Sequence, residues 1–161
     1  MENNSGQDDV DGGTTTLFSP VYDLSNYNDV MLTYWRWYTN NLGNNPGTDV
    51  WQVQASNNGS NWTDLELTNQ SNPNWDRKRF VLGDFLSLSD QVQFKFIASD
   101  LSYDSDVGSG GSLVEAALDD FDISLNGNPE AVIKVANKNY TTAALNSYIR
   151  YGFCSKYMDF D

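Results

Sequence analysis

The sequence predicts an all-β protein, an antiparallel β-sandwich, and three observations support this fold class. Apolar and polar residues alternate with a period of two through most of the chain. Clusters of Asn, Gly, Ser, Pro and Asp recur about every ten residues, as turns between strands do. Apolar residues make up 39% of the 161 residues and aromatic residues 14%, which suffices for one core. We therefore expect one domain over residues 1–128 and a tail over residues 129–161.

The alternating pattern predicts seven strands in the domain, in this order: residues 14–18, 29–38, 49–56, 61–67, 77–83, 90–98 and 112–125. The clearest is the sixth, in which Val92, Phe94, Phe96 and Ala98 alternate with mostly polar neighbours. Such alternation is typical of a strand with one buried face and one wet face. We therefore expect this strand to lie within the core.

The connections and the tail carry weaker signals. Residues 57–61 have the composition of a hairpin turn, in which Gly59 takes a positive φ and Trp62 folds back over the turn. Residues 99–112 predict a long loop, because Ser, Gly and Asp dominate them. In the tail, residues 131–135 predict one more strand and residues 141–151 a short helix, with a linker as the alternative.

Composition excludes several classes of function. The chain has 22 Asp and Glu against 9 Lys and Arg, a net charge of -13 that repels nucleic acid and anionic lipid surfaces. It has no histidine, which removes the usual general base and the His-ligated zinc sites. Its one cysteine, Cys154, forms no internal disulfide, and no window is apolar enough for membrane insertion. No spacing singles out a catalytic pair of carboxylates, so we expect no enzyme and no catalytic residues.

Two acidic clusters lie near opposite ends of the domain, one with Asp9 and Asp11 and the other with Asp119 and Asp120. If the first and last strands pair, these carboxylates supply several hard oxygen ligands, and Ca²⁺ accepts irregular shells of six to eight oxygens. One interpretation is therefore a structural Ca²⁺ site. The alternative is that both clusters are solvated turns or strand ends, since Asp-rich turns are common without metal. Neither cluster has the spacing of an EF-hand loop.

Five aromatic and basic residues follow each other in the second predicted strand. Trp35 and Trp37 share one face, while Tyr34, Arg36 and Tyr38 share the other. Either row is a candidate strip for stacking on sugar rings. The alternative that we favour is that both rows are covered, because large aromatic side chains are usually buried.

Two other tryptophans adjoin polar loops, and we expect these, Trp51 and Trp75, to be the exposed ligand-binding platforms. If both rows of the second predicted strand are covered, Arg36 beside their rings requires a carboxylate partner. Glu115 and Asp49 are the candidates that the sequence offers for that partner.

Several of these motifs together resemble a jelly-roll module of large secreted bacterial proteins, which is similar to MAM-type and carbohydrate-binding jelly-roll domains. They are the acidic turn and Thr-rich strand of residues 9–20, the Tyr-Trp-Arg-Trp-Tyr run of residues 34–38, and residues 49–56, 58–62 and 114–121. The resemblance covers about residues 9–125. It implies a jelly-roll-like sandwich that serves as a non-catalytic appendage, with a structural Ca²⁺ held by Asp9, Asp11, Asp119 and Asp120. The residues after Pro129 match nothing in these modules.

From these observations we expect a secreted or cell-surface accessory module of a larger bacterial protein. Its partner would be a glycan or a cell-surface protein, bound by carbohydrate recognition or adhesion. The alternative is a structural or self-assembly domain that pairs through an uncovered edge strand or through the C-terminal tail.

Overall fold

Strands dominate the part of the chain that the computed structural model describes, which comprises residues 10, 12–101, 111–127, 132–135 and 138–141. Nine strands lie in these ranges: β1 (Thr14–Phe18), β2 (Tyr27–Gly43), β3 (Trp51–Ser56), β4 (Thr63–Thr68), β5 (Asn72–Val81), β6 (Gln93–Ser99), β7 (Ser112–Gly127), β8 (Val132–Val135) and β9 (Lys138–Thr141). A single 3₁₀ turn, Leu82–Asp84, follows β5 within the same ranges.

Two antiparallel sheets form the sandwich. The four-stranded sheet has the order β1-β6-β3-β4, and the three-stranded sheet has the order β5-β2-β7. Among the described strands, β8 and β9 pair with each other alone, as a two-stranded sheet. The fold class predicted from the sequence, an antiparallel jelly-roll-like β-sandwich, is therefore confirmed.

The predicted strands match the observed ones, with differences at some of their ends. Strand β2 continues to Gly43 because its pairing with β7 extends beyond a register shift. Strand β5 begins at Asn72 although Pro73 follows. An edge strand tolerates a proline, and among the described strands β5 has a neighbour on one side alone. The strand predicted at residues 131–135 is β8, whereas the helix predicted over residues 141–151 lies outside the described residues, apart from Thr141 in β9.

The core lies between the two sheets and is rich in aromatic rings. Phe96 of β6 is at its centre: its ring centroid is 5.3 Å from that of Tyr34, 5.9 Å from that of Phe121 and 6.3 Å from that of Trp51. The four apolar residues that alternate in the predicted sixth strand, three of them in β6 and Val92 just before it, are all at most 1% exposed. Strands of both sheets thus contribute to one apolar core.

The hairpin between β3 and β4 has the predicted turn chemistry. Gly59 has a φ of 71°, and the backbone N–H of Gly59 donates to the Ser56 hydroxyl at 2.9 Å. The Trp62 ring that follows lies against Phe18, with 5.9 Å between ring centroids, and the Lys95 ammonium is 4.4 Å from its centroid. Trp62 thus covers part of the outer face of the four-stranded sheet.

We expect Phe96→Ala to lower the free energy of unfolding by about 3–5 kcal/mol, because it leaves a cavity among three aromatic rings. Leu67→Ala is the control, since Leu67 is 58% exposed, and we expect a change within about 0.5 kcal/mol. Urea unfolding followed by tryptophan fluorescence measures both. Equal effects of the two substitutions would contradict the assignment of the core.

Candidate functional site

A buried carboxylate, Glu66 of β4, joins the two sheets. One of its oxygens, Oε2, accepts hydrogen bonds from the Tyr34 hydroxyl at 2.5 Å and from Trp51 Nε1 at 3.2 Å. The other, Oε1, accepts from Arg36 at 2.6 Å, and Lys78 Nζ is 3.5 Å away. The Glu66 side chain is only 11% exposed, so these partners replace most of its water.

The local geometry of β4 brings Glu66 inward. The register of β3 and β4 shifts between the pairs Val53–Glu66 and Gln54–Asp64, which skips Leu65. Such a bulge lets two successive side chains turn towards the core. Leu65 is accordingly 7% exposed, next to the buried Glu66 carboxylate.

The partner of Arg36 differs from both predicted candidates, and that prediction is wrong. Arg36 pairs with Glu66, and its second nitrogen is 3.8 Å from Asp76 of β5. Glu115 is opposite Thr39 in the β2–β7 pair, so it lies on the other face of the sheet from Arg36. Asp49 accepts from the Leu101 backbone N–H at 2.7 Å and from the Ser112 hydroxyl, and thus belongs to a different buried cluster.

Two further charges complete the cluster around Glu66. Lys78 Nζ is 2.8 Å from Asp76, and its hydrogen bond holds the pKa of the Asp76 carboxyl below its ordinary value. This pair stabilises the fold above the ordinary pKa of an aspartate, and the contribution is lost as the pH falls through the lowered pKa. Arg36, Asp76 and Lys78 therefore all face inward, towards Glu66.

Strand alternation sends the neighbours of these charged residues to the opposite, solvent side of the three-stranded sheet. In β2, Trp35 and Trp37 flank the buried Arg36 and are partly exposed. In β5, Trp75 is 41% exposed, and Arg77 and Arg79 on the same side are also exposed. We call this surface the tryptophan face, and define it by Trp35, Trp37, Trp75, Arg77 and Arg79.

The β7 side of the same sheet surface is acidic. Asp119 is opposite Trp35 in the β2–β7 register, and Asp122 is opposite Thr33. The strand is irregular here: Asp120 has a φ of 48°, and its backbone N–H donates to Asp119 Oδ1 at 2.7 Å. Asp119 and Asp120 are both exposed. The sheet surface therefore runs from arginines on β5, across tryptophans on β2, to aspartates on β7.

The two predicted platforms have opposite outcomes. The expectation that Trp51 is exposed is wrong, because it is 0% exposed and its indole N–H bonds Glu66 inside the sandwich. Trp75 is exposed as expected. Its role as a ligand-binding residue stays a prediction. Sequence reasoning missed Arg77 and Arg79, although their period-two spacing from Trp75 placed all three on one side of a strand.

The predicted Ca²⁺ site falls partly outside the described residues, because Asp9 and Asp11 are not among them. Val10 forms a bridge with Val114, and Asp119 lies five residues further along β7, about 16 Å at the usual rise per residue. Within the described ranges no three Asp, Glu, His or Cys side chains gather as a metal site, and two carboxylates alone fall short of a Ca²⁺ shell. The Ca²⁺ site thus stays a prediction.

No protein-family model and no curated protein matches the chain. Among the described residues no helix has the length and apolar character to cross a membrane.

We expect Glu66→Gln to lower the free energy of unfolding by about 3–5 kcal/mol, because it removes the charge that offsets the buried Arg36. Asp64→Asn is the matched control on the same strand, since the Asp64 carboxylate is exposed and accepts from Gln52 and Gln54 at the surface, and we expect a loss below about 1 kcal/mol. Urea unfolding of both variants at pH 7 tests this. A loss of under about 1 kcal/mol for Glu66→Gln would contradict the central role of this carboxylate.

Burial raises the pKa of Tyr22, Tyr34 and Tyr38 above the ordinary value of 10.0, and the Glu66 carboxylate adds to the effect at Tyr34. The unfolded chain ionises these groups near pH 10 while the folded state keeps them protonated, so their stabilisation is complete below about pH 10 and is lost above it. We expect the free energy of unfolding to fall by up to about 1.4 kcal/mol per pH unit for each tyrosine. Urea unfolding between pH 9 and pH 12 measures the slope, and Tyr22→Phe is expected to reduce it. A stability that stays constant over this range would contradict the prediction.

Proposed function

We propose that this domain is a non-catalytic carbohydrate-binding module and that its glycan binds the tryptophan face. The supporting observation is that Trp35, Trp37 and Trp75 lie on the solvent side of one sheet, with Trp75 41% exposed. Indole rings present a flat apolar surface that covers the C–H face of a sugar. Trp75 is exposed and Trp35 and Trp37 are partly exposed, and because all three lie on paired strands they are held in position before a ligand arrives, which limits the entropy lost on binding.

Polar groups suited to sugar hydroxyls border these rings. The guanidinium groups of Arg77 and Arg79 are hydrogen-bond donors for a sugar hydroxyl. The carboxylates of Asp119 and Asp122 are hydrogen-bond acceptors for one. A sugar hydroxyl does both, so a glycan lying across β2 would find a partner on each side. This arrangement supports passive recognition, in which no covalent bond forms or breaks.

We also propose that the domain is secreted or lies at the cell surface, as a part of a larger protein. A glycan-binding module attaches or positions the protein that contains it, which accords with a secreted or cell-surface location. A cell-surface protein is the second partner that we expect. A protein ligand would give no signal in an experiment that offers glycans alone.

Self-association through an edge strand has less support. Strand β5 is an edge of its sheet among the described strands, and its backbone polar groups on one side are therefore open to pairing. It also carries Pro73 and the three consecutive positive charges Arg77, Lys78 and Arg79. Proline and charges on an edge are the features that discourage pairing with another chain.

We expect Trp75→Ala to weaken glycan binding about tenfold or more, because the loss of about 1.4 kcal/mol of ring contact corresponds to that factor. A glycan array with neutral and acidic polysaccharides identifies the ligand, and calorimetric titration measures the affinity. Leu67→Ala is the control, since Leu67 is exposed on the other sheet. Absence of binding to every glycan, or equal weakening by both variants, would overturn the proposal.

A further inference from the structure

We infer that the ligand of the tryptophan face is an acidic polysaccharide, whose carboxylate or sulfate groups pair with Arg77 and Arg79. The inference rests on the proposed function and names the class of glycan. The positive charges of the chain are unevenly placed. The chain has only 9 Lys and Arg in a net charge of -13, yet three of them are consecutive in β5.

Only two of these three charges are directed to solvent. Lys78 is turned inward, where Asp76 and Glu66 surround its ammonium at 2.8 Å and 3.5 Å. Arg77 and Arg79 are exposed, and neither forms an ion pair with any of the described residues. The nearest acids on the same surface, Asp119 and Asp122, are two strands away, about 10 Å at the usual strand spacing. The two guanidinium groups are therefore available to an external anion.

Their spacing suits a polymer with repeated anionic groups. Residues two apart in a strand are separated by about 6.7 Å, so Arg77 and Arg79 present two guanidinium groups in a row beside the Trp75 ring. A guanidinium group matches the planar carboxylate with two parallel hydrogen bonds, and it also bonds well to sulfate. A sugar ring on Trp75 would place its acidic substituent next to these arginines.

The acidic side of the surface sets the orientation of the polymer. Carboxylates at Asp119 and Asp122 repel an anion but accept bonds from sugar hydroxyls. The acidic substituents would therefore follow β5, and the neutral hydroxyls would face β7. The net charge of -13 repels a polyanion at long range, so the affinity would come from short-range contacts with the Trp75 ring and the two arginines.

The test compares polymers that differ only in charge. Polygalacturonate is titrated against its fully methyl-esterified form, and dextran sulfate against dextran, so that the carboxylate and sulfate sources are separated. We expect at least one acidic polymer to bind tenfold or more tightly than its neutral counterpart. The Arg77→Gln/Arg79→Gln double variant is expected to lose this preference and to keep the weaker binding of the neutral polymer. Trp75→Ala is expected to weaken binding of both.

The control variant is Lys95→Gln, because Lys95 is a cation on the outer face of the other sheet. It should keep the preference for the acidic polymer, and all variants should unfold at the wild-type urea concentration. Equal binding of the acidic and neutral members of both pairs would overturn this inference and leave the proposed function standing. Absence of binding to all four polymers, with no ligand on the glycan array, would overturn both. Tighter binding of single-stranded oligothymidylate than of either acidic polymer would overturn the assignment to a glycan.

Discussion

The Glu66 carboxylate, held between the two sheets, is the interaction on which the tryptophan face depends. It accepts from Tyr34, Trp51 and Arg36, which fixes these side chains on the inner side of their strands. Because side chains alternate along a strand, a one-residue slip of β2 would move its buried set to the solvent. The slipped register would separate Arg36 from Glu66 and would destabilise the fold by several kcal/mol. The same constraint that buries Arg36 therefore keeps its two tryptophan neighbours facing outward.

Local patterning was sufficient to predict most of the fold. The alternation of Val92, Phe94, Phe96 and Ala98 identified a buried strand because burial of one face imposes a period of two. Strand ends were harder to predict, since pairing across a bulge decides them. Strand β2 continues to Gly43 through its contacts with β7, whose partner residues are distant in sequence.

The site was less predictable because it depends on contacts between distant strands. The sequence offered no reason to prefer Glu66 as the partner of Arg36, since 30 residues separate them and a bulge turns Glu66 inward. Trp51 was predicted to be exposed because it adjoins a polar loop. Its alternation with Gln52 instead indicates that it shares the buried face of β3 with Val53. The same alternation correctly grouped Trp35 with Trp37. The pairing of β2 with β5 is needed to show that Trp75 lies on the same sheet surface as these two residues.

The central claim, that one sheet surface carries the ligand site, is tested most directly by the indole N–H resonances of the 5 tryptophans during titration with an acidic polysaccharide. The arrangement predicts that Trp35, Trp37 and Trp75 shift with the ligand. Trp51, bonded to Glu66 in the core, and Trp62, on the other sheet, should remain unchanged. Shifts confined to Trp62, or none at any indole at saturating binding, would contradict the account.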